Sequence, residues 1–300
     1  MKDLTATATA TADVTIRPLR PQDAAAAAAA ARRALDELYP EELSPEDDAL
    51  RTADGTARAA HLQRTDPGGC WVAEIEGEVV GAALGLVREG VWGFSLFGIL
   101  PAFQGRGIGS RLYAPALQYG AGASGGIILS SSHPAATSRY ARSPGYRLIP
   151  TVGLSGAWDP RRVPPALRSR PGDLSADAET IAGASRRARG ASHLADLPTL
   201  LDRPGSALLV IDGEGFACAR RGSVTLLAAR TEAAAADLLW GAMRSGPRGG
   251  TVSLDFVTAE NQWAIRTGLD AGLSITECGP MFVRGQLGTM APYLPNGMYL

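Results

Sequence analysis

Apolar and polar positions alternate first over residues 14–19, a short predicted strand. Pro21-Gln22-Asp23 then opens an alanine-rich stretch that predicts a helix to about residue 38. The eight consecutive alanines at 24–31 look like low complexity, but alanine is the strongest helix former and the run is read as helix. Residues 39–45 break it, and a second helix is expected over 46–63. Two apolar runs, 70–75 and 79–87, flank Glu76-Gly77 and predict a hairpin. A strand over 91–100, a glycine-rich turn, a helix over 107–118, a buried strand over 127–130, a helix over 133–142 and a strand over 146–150 follow.

A stretch rich in Pro and Arg, 158–171, interrupts the pattern. The order hairpin, strand, helix, strand, helix, strand then runs a second time, pairing Gly77 with Gly213, His133 with Asn261 and Gly145 with Gly272. The expected organisation is a flexible tail at 1–12, a first domain at 13–158, a linker at 159–175 and a second copy of one α/β fold at 176–300.

Composition changes this picture little. Hydrophobic residues make up 45% and charged residues 20% of the 300, enough for sizeable cores and against gross disorder. A net charge of −1 lacks the basic surplus of a nucleic-acid binder. The single lysine, Lys2, among so many arginines reflects a GC-rich coding bias. Cys70, Cys218 and Cys278 are odd in number and far apart, which predicts neither a disulfide framework nor a zinc site, and no metal is expected. No run reaches the length of a membrane-spanning helix and the start lacks the apolar block of a secretory signal, so the expected compartment is the cytoplasm, away from membranes.

The most informative residues run from Phe97 to Ser110, where a strand ends, three glycines alternate and a helix begins. Unpaired N–H groups in a first helical turn, bare of side chains at Gly105, Gly107 and Gly109, make a cradle for a pyrophosphate. A Walker loop is excluded because no Gly-Lys-Ser/Thr is present, and the glycine spacing also fails the dinucleotide fingerprint.

Gln104-x-x-Gly107-x-Gly109, following a strand that ends at Pro101, resembles motif A of the GNAT superfamily of N-acetyltransferases. The resemblance covers residues 14–154 and, more faintly, the second copy. It implies a fold of two tandem α/β GNAT-like domains, each a mixed, mostly antiparallel sheet flanked by helices. It further implies that Phe97, Gly98 and Ile99 pair with the pantetheine arm of acetyl-CoA. Gln104, Gly105, Arg106, Gly107, Ile108, Gly109 and Ser110 would form the pyrophosphate loop, and Gly98 with its small neighbours would shape the acyl pocket. Members often carry Asn, then Tyr seven residues on, then Gly and an aromatic residue; here stand His133, Tyr140 and Gly145-Tyr146. Tyr140 is thus the expected proton donor to the departing thiolate. His133 departs from the usual Asn and either contacts the cofactor or caps the helix that begins at Pro134.

The activity so implied is acetyl transfer to a primary amine by direct attack in a ternary complex. The alternatives are a non-catalytic acetyl-CoA-binding module and an enzyme using another acyl-CoA. The strand over 127–130 lacks the glutamate that some members use as base, leaving Glu74 and Glu37 to act through water. The expected partner is a small-molecule or peptide amine, with a homodimer left open. The acids of 36–48 weakly favour a cationic amine. In the second copy the equivalent junction, Ala229-Arg230-Thr231-Glu232, has no glycine, and Gly268 stands where Tyr is expected, so no cofactor should bind there. Tandem GNAT proteins of bacteria are similar in pairing an active half with a degenerate one. In the enhanced-intracellular-survival type the terminal carboxylate enters the active site, which here would put Leu300 in the place of the missing base. Of the other polar groups, the linker arginines are read as a solvated face, and His193 as a partner of Asp196.

Overall fold

A computed structural model describes residues 13–38 and 44–300. The tail expected at 1–12 and most of the break at 39–45 lie outside the described residues. The chain begins with β1 (Thr15–Pro18), α1 (Ala24–Asp36) and α2 (Pro45–Thr65). Ser44 starts α2, its Oγ accepting from the Asp47 amide at 3.1 Å, with Pro45, Glu46, Asp47 and Asp48 in the first turn. Then come β2 (Cys70–Ile75), β3 (Glu78–Arg88), β4 (Val91–Ile99), α3 (Ile108–Tyr119), β5 (Gly125–Leu129), α4 (Pro134–Ala141), β6 (Arg147–Ile149) and β7 (Thr151–Ala157).

The second half holds β8 (Arg170–Pro171), α5 (Ala178–Arg189), α6 (Leu197–Leu201), β9 (Ser206–Ile211), β10 (Gly215–Arg220), β11 (Ser223–Ala229) and α7 (Glu232–Ser245). It continues with β12 (Thr251–Thr258), α8 (Gln262–Asp270), β13 (Ser274–Glu277), β14 (Met281–Gly285) and β15 (Tyr293–Leu294). From β2 and from β9 the element order is the same through eight elements. Gly145 and Gly272 both take positive φ, +78° and +97°, at matching helix-to-strand turns.

The sheets do not follow the expected partition at residue 158. A seven-stranded sheet has the order β1-β2-β3-β4-β5-β14-β6, so a strand from the end of the chain lies inside the first sheet. In return, β7 sits between β12 and β13. Phe282 on β14 pairs with Ile128 and Leu148, while Leu154 on β7 pairs with Leu254 and Ile275. The one strand expected over 273–283 is therefore two, β13 and β14, in different sheets, while the strand expected over 146–150 is β6, followed at once by β7 in another sheet. A third sheet, β15-β11-β10-β9-β8, completes the second copy. Among the described residues only β4 and β5 pair in parallel.

The alanine run of α1 has a structural use. Ala24, Ala27, Ala28, Ala30 and Ala31 are buried, and the helix lies close enough to β4 that a Cβ on Gly98 would come within 2.7 Å of the Ala31 Cα. One core face joins the halves: Leu62, Val72 and Leu84 of the first pack in one cluster with Val210, Phe216 and Leu226 of the second. A second cluster lies under α3 and α4 and includes Trp92, Phe94, Leu112 and Phe282.

Shared strands make the two halves one cooperative unit. Replacing fully buried Phe282 by Ala removes a ring from the first copy's core and is expected to cost about 3–5 kcal/mol. Thermal unfolding followed at Trp92 and at Trp263 should then shift together; a shift at Trp92 alone contradicts the coupling.

Candidate active site

The site begins where β4 leaves β5. The two strands pair only from Val91–Gly125 to Phe94–Ile128. The next residue, Ser95, is the extra residue of a bulge, since Gly85 opposes Phe94 and Leu84 opposes Leu96 on the β3 side. Beyond it, Leu96–Ile99 have no strand on their β5 side among the described residues. The gap opens a cavity of about 280 Å³, lined by Phe97, Gly98 and Ile99, by the glycine loop, and by His133 and Arg139 of the α4 region.

Local chemistry fixes the loop. Gly105 and Gly107 stand at φ +74° and +76°, where a side chain is strained, and a Cβ on either would meet nothing within 4 Å. Gly107 is the N-cap of α3 and has no side chain to occupy the first-turn amides. Gln104 ties the loop to its strand, its Nε2 donating to the Ile99 carbonyl at 2.9 Å. Of the residues singled out for the cofactor, Phe97, Gly98, Ile99, Gln104, Gly105, Gly107, Ile108 and Gly109 line one cavity. Arg106 does not line it, since its guanidinium folds back on the Ala102 carbonyl (3.1 Å) and the Phe103 ring. Ser110 is also outside the lining, its hydroxyl accepting from Arg139 Nη1 at 3.2 Å. The missing side chain of Gly98 faces Ala31 of α1, so this glycine lets the helix approach rather than sizing the acyl pocket as expected.

Arg139 is the residue that the sequence pattern did not single out. Its guanidinium lies over the Phe97 and Tyr113 rings, 5.5 and 5.9 Å from their centroids, and beside Gly109. Its buried Nε has no hydrogen-bond partner among the described residues. Its place one residue before Tyr140, one turn after the helix start, was the available signal.

His133 lines the cavity and also caps α4, its Nδ1 accepting from the Ala135 amide at 3.1 Å. That bond assigns the proton of a neutral ring to Nε2. Tyr140 is 4% exposed and sits behind the lining, its ring 5.6–6.0 Å from those of Phe282, Tyr113 and Phe94. Burial raises its pKa well above that of a free phenol, so the hydroxyl keeps its proton at neutral pH. The carboxylates considered as base are elsewhere. Glu74 is held by Arg17 (2.8 Å), and neither it nor Glu37 lines the cavity.

The end of the chain is docked, but outside this cavity. The Leu300 carbonyl accepts from Arg189 Nη1 (2.7 Å), and its oxygen lies 2.5 Å from His193 Nε2. Its side chain packs on Gly93, under the paired part of β4. Leu300 therefore does not take the base's position. His193 spends its contacts on Leu300 and Tyr293, while the expected partner Asp196 bonds His61 (2.8 Å) and Arg88. The linker arginines form surface pairs, among them Arg161–Asp159, Arg168–Glu214 and Arg170–Asp177.

In the second copy β11 and β12 lie in different sheets, and the edge so exposed is filled. β11 bears β15 on the edge that corresponds to Phe97–Ile99, with Leu227 against Leu294 and Ala228 against Tyr293. Thr231 caps α7 with its own hydroxyl, accepting from the Ala234 amide at 3.2 Å. Asn261, in the place of His133, is buried. Its side chain is used up on Thr258, Met290, Trp263 and Tyr293.

Comparison with known proteins bears on the fold. Residues 29–146 match the acetyltransferase (GNAT) family. No curated protein sequence matches the chain. Among solved structures, a candidate acetyltransferase from Pyrococcus horikoshii is similar at 17% identity and a TM-score of 0.74, with 96% of each chain covered. A GCN5-related N-acetyltransferase from Sphaerobacter thermophilus is similar at 17% identity and 0.53, over 95% of this chain and 98% of that one. A tandem GNAT protein from the clavulanic acid biosynthesis pathway gives 16% and 0.54, over 91% and 98%. At these identities the likeness is one of fold. Residues 29–146 are thus a GNAT acetyltransferase domain, set in a chain with the fold of tandem GNAT proteins.

Proposed function

We propose that the chain transfers an acetyl group from acetyl-CoA to a primary amine by direct attack in a ternary complex. The observation that carries this reading is the single cavity shared by the unpaired edge of β4 and the glycine loop. A pantetheine arm carries amide donors and acceptors spaced to complete such an edge, and a diphosphate matches the bare amides at the start of α3. Gly105 and Gly107 leave open space where those phosphates would approach. Arg139 supplies the positive charge beside the loop that was looked for in Arg106.

The amine nitrogen attacks the thioester carbonyl, and the C–S bond breaks as the amide forms. A strand amide of Phe97–Ile99 stabilises the oxygen as it gains charge. Tyr140, which stands behind the cavity wall and keeps its proton at neutral pH, gives that proton to the thiolate as the C–S bond breaks. The nitrogen loses its proton to solvent.

Release of CoA from acetyl-CoA by the full chain, in the presence of amines, tests the reaction. Tyr140→Phe is expected to lower kcat by roughly 10²–10⁴-fold with the KM for acetyl-CoA nearly unchanged. An unaffected kcat removes Tyr140 from the mechanism. Titration calorimetry should find one acetyl-CoA per chain, because β15 fills the second break. Two equivalent sites would contradict that assignment.

A further inference from the structure

A larger cavity, of about 970 Å³, adjoins the cofactor cleft between α1, α2 and the strands of the second half. Leu35 lines both, and Leu96 of the larger one precedes Phe97 of the cleft on β4. An amine seated in the larger cavity would lie beside the cleft. The larger cavity's chemistry differs from what the acids of α1 and α2 suggest in the sequence. Among the described residues the lining carries seven arginines against four aspartates.

Each of those aspartates is already met by arginine. Arg32 bonds Asp48 and lies 3.3 Å from Asp36. Asp47 accepts from Arg221 at 2.9 Å. Asp54 serves two partners at once, Arg203 at 2.9 Å and Arg220. Arg58 has a different environment. Its Nε donates to Ser95 Oγ at 2.7 Å and its Nη2 to the Gly297 carbonyl at 3.1 Å, both neutral acceptors. Burial holds its pKa down to about 10, and it remains a cation at neutral pH. The buried Nε of Arg203 has no partner among the described residues.

Arg58, Arg203, Arg220 and Asp54 together are three guanidinium groups around one carboxylate. In a partly enclosed cavity that excess is screened less than on an open surface. Free guanidinium edges match the paired oxygens of a carboxylate or phosphate. A polycation entering here would meet the surplus positive charge and find every aspartate already paired.

We infer that the acceptor is a small amine that also bears an anionic oxygen group, carboxylate or phosphate, seated against Arg58, Arg203 and Arg220 while its amine reaches β4 at Leu96–Phe97. This rests on the acetyl-transfer reading above. The test uses the full chain, acetyl-CoA and amines matched in pairs: amino acids against their amides, aminoalkyl phosphates against the amino alcohols, and spermidine as a polycation. The anionic member of at least one pair should show a kcat/KM ten-fold or more above its neutral partner, and the two arms tell carboxylate from phosphate. Arg203→Gln should raise KM for that acceptor about ten-fold, leave kcat nearly unchanged and erase the preference. Arg203→Lys should restore part of it. Arg220→Gln, which leaves Asp54 its other partner, gives the same reading if the first variant is unstable.

Preference for spermidine or for neutral amines overturns the inference, as does a preference untouched by both glutamine variants. Acetyl-CoA that binds by calorimetry but acetylates nothing in the panel also counts against it. Acetyl-CoA that fails to bind at all overturns the acetyl-transfer reading instead.

Discussion

The site depends on a strand that can be paired on both sides for only part of its length. β4 runs beside β5 as far as Phe94 and Ile128, and the bulge at Ser95 then turns it away. The bulge is held from outside the sheet. Ser95 Oγ accepts from Arg58 and donates to the Met298 carbonyl at 2.5 Å, so α2 and the end of the chain both grip it. On the far side of β5, β14 supplies the pairing that keeps that strand in place. An unpaired edge in a packed sheet is costly and aggregation-prone, and it persists where something else can complete it.

The second copy illustrates the alternative. Its break is completed by the chain itself through β15, and the amides at the start of α7 are capped by Thr231. The groups that the first copy leaves open are satisfied internally in the second. Its role is then architectural: β14 enters the first sheet, and Arg203, Arg220 and Thr225 furnish a wall of the larger cavity. Exchange of β7 for β14 binds the two halves, and the larger cavity is lined by both.

Much of this was legible in the sequence for physical reasons. Alternation marks strands whichever sheet they join, and the alanine run and the break at 39–45 mark the first two helices. The glycine loop was legible because Gly105 and Gly107 adopt a backbone conformation that other residues avoid. The strand exchange was not legible, since a period of two residues says nothing about the partner strand. The short β15 reads as an apolar tail until the edge it covers is known. Acidic residues between 36 and 48 suggested a cationic amine, but Arg32 meets Asp36 and Asp48, and Arg221, which meets Asp47, lies far away in the chain. Arg139 went unnoticed because its significance comes from lying over Phe97 and beside Gly109, not from spacing.

Hydrogen exchange at the amides of residues 105–110, with and without coenzyme A, tests the central claim most directly. Slowed exchange in that loop and along residues 96–99, with the start of α7 unchanged, is the expected result. Unaltered exchange at the loop under saturating coenzyme A, or protection confined to the second copy, would contradict an acyl-CoA site at the parting of β4 and β5.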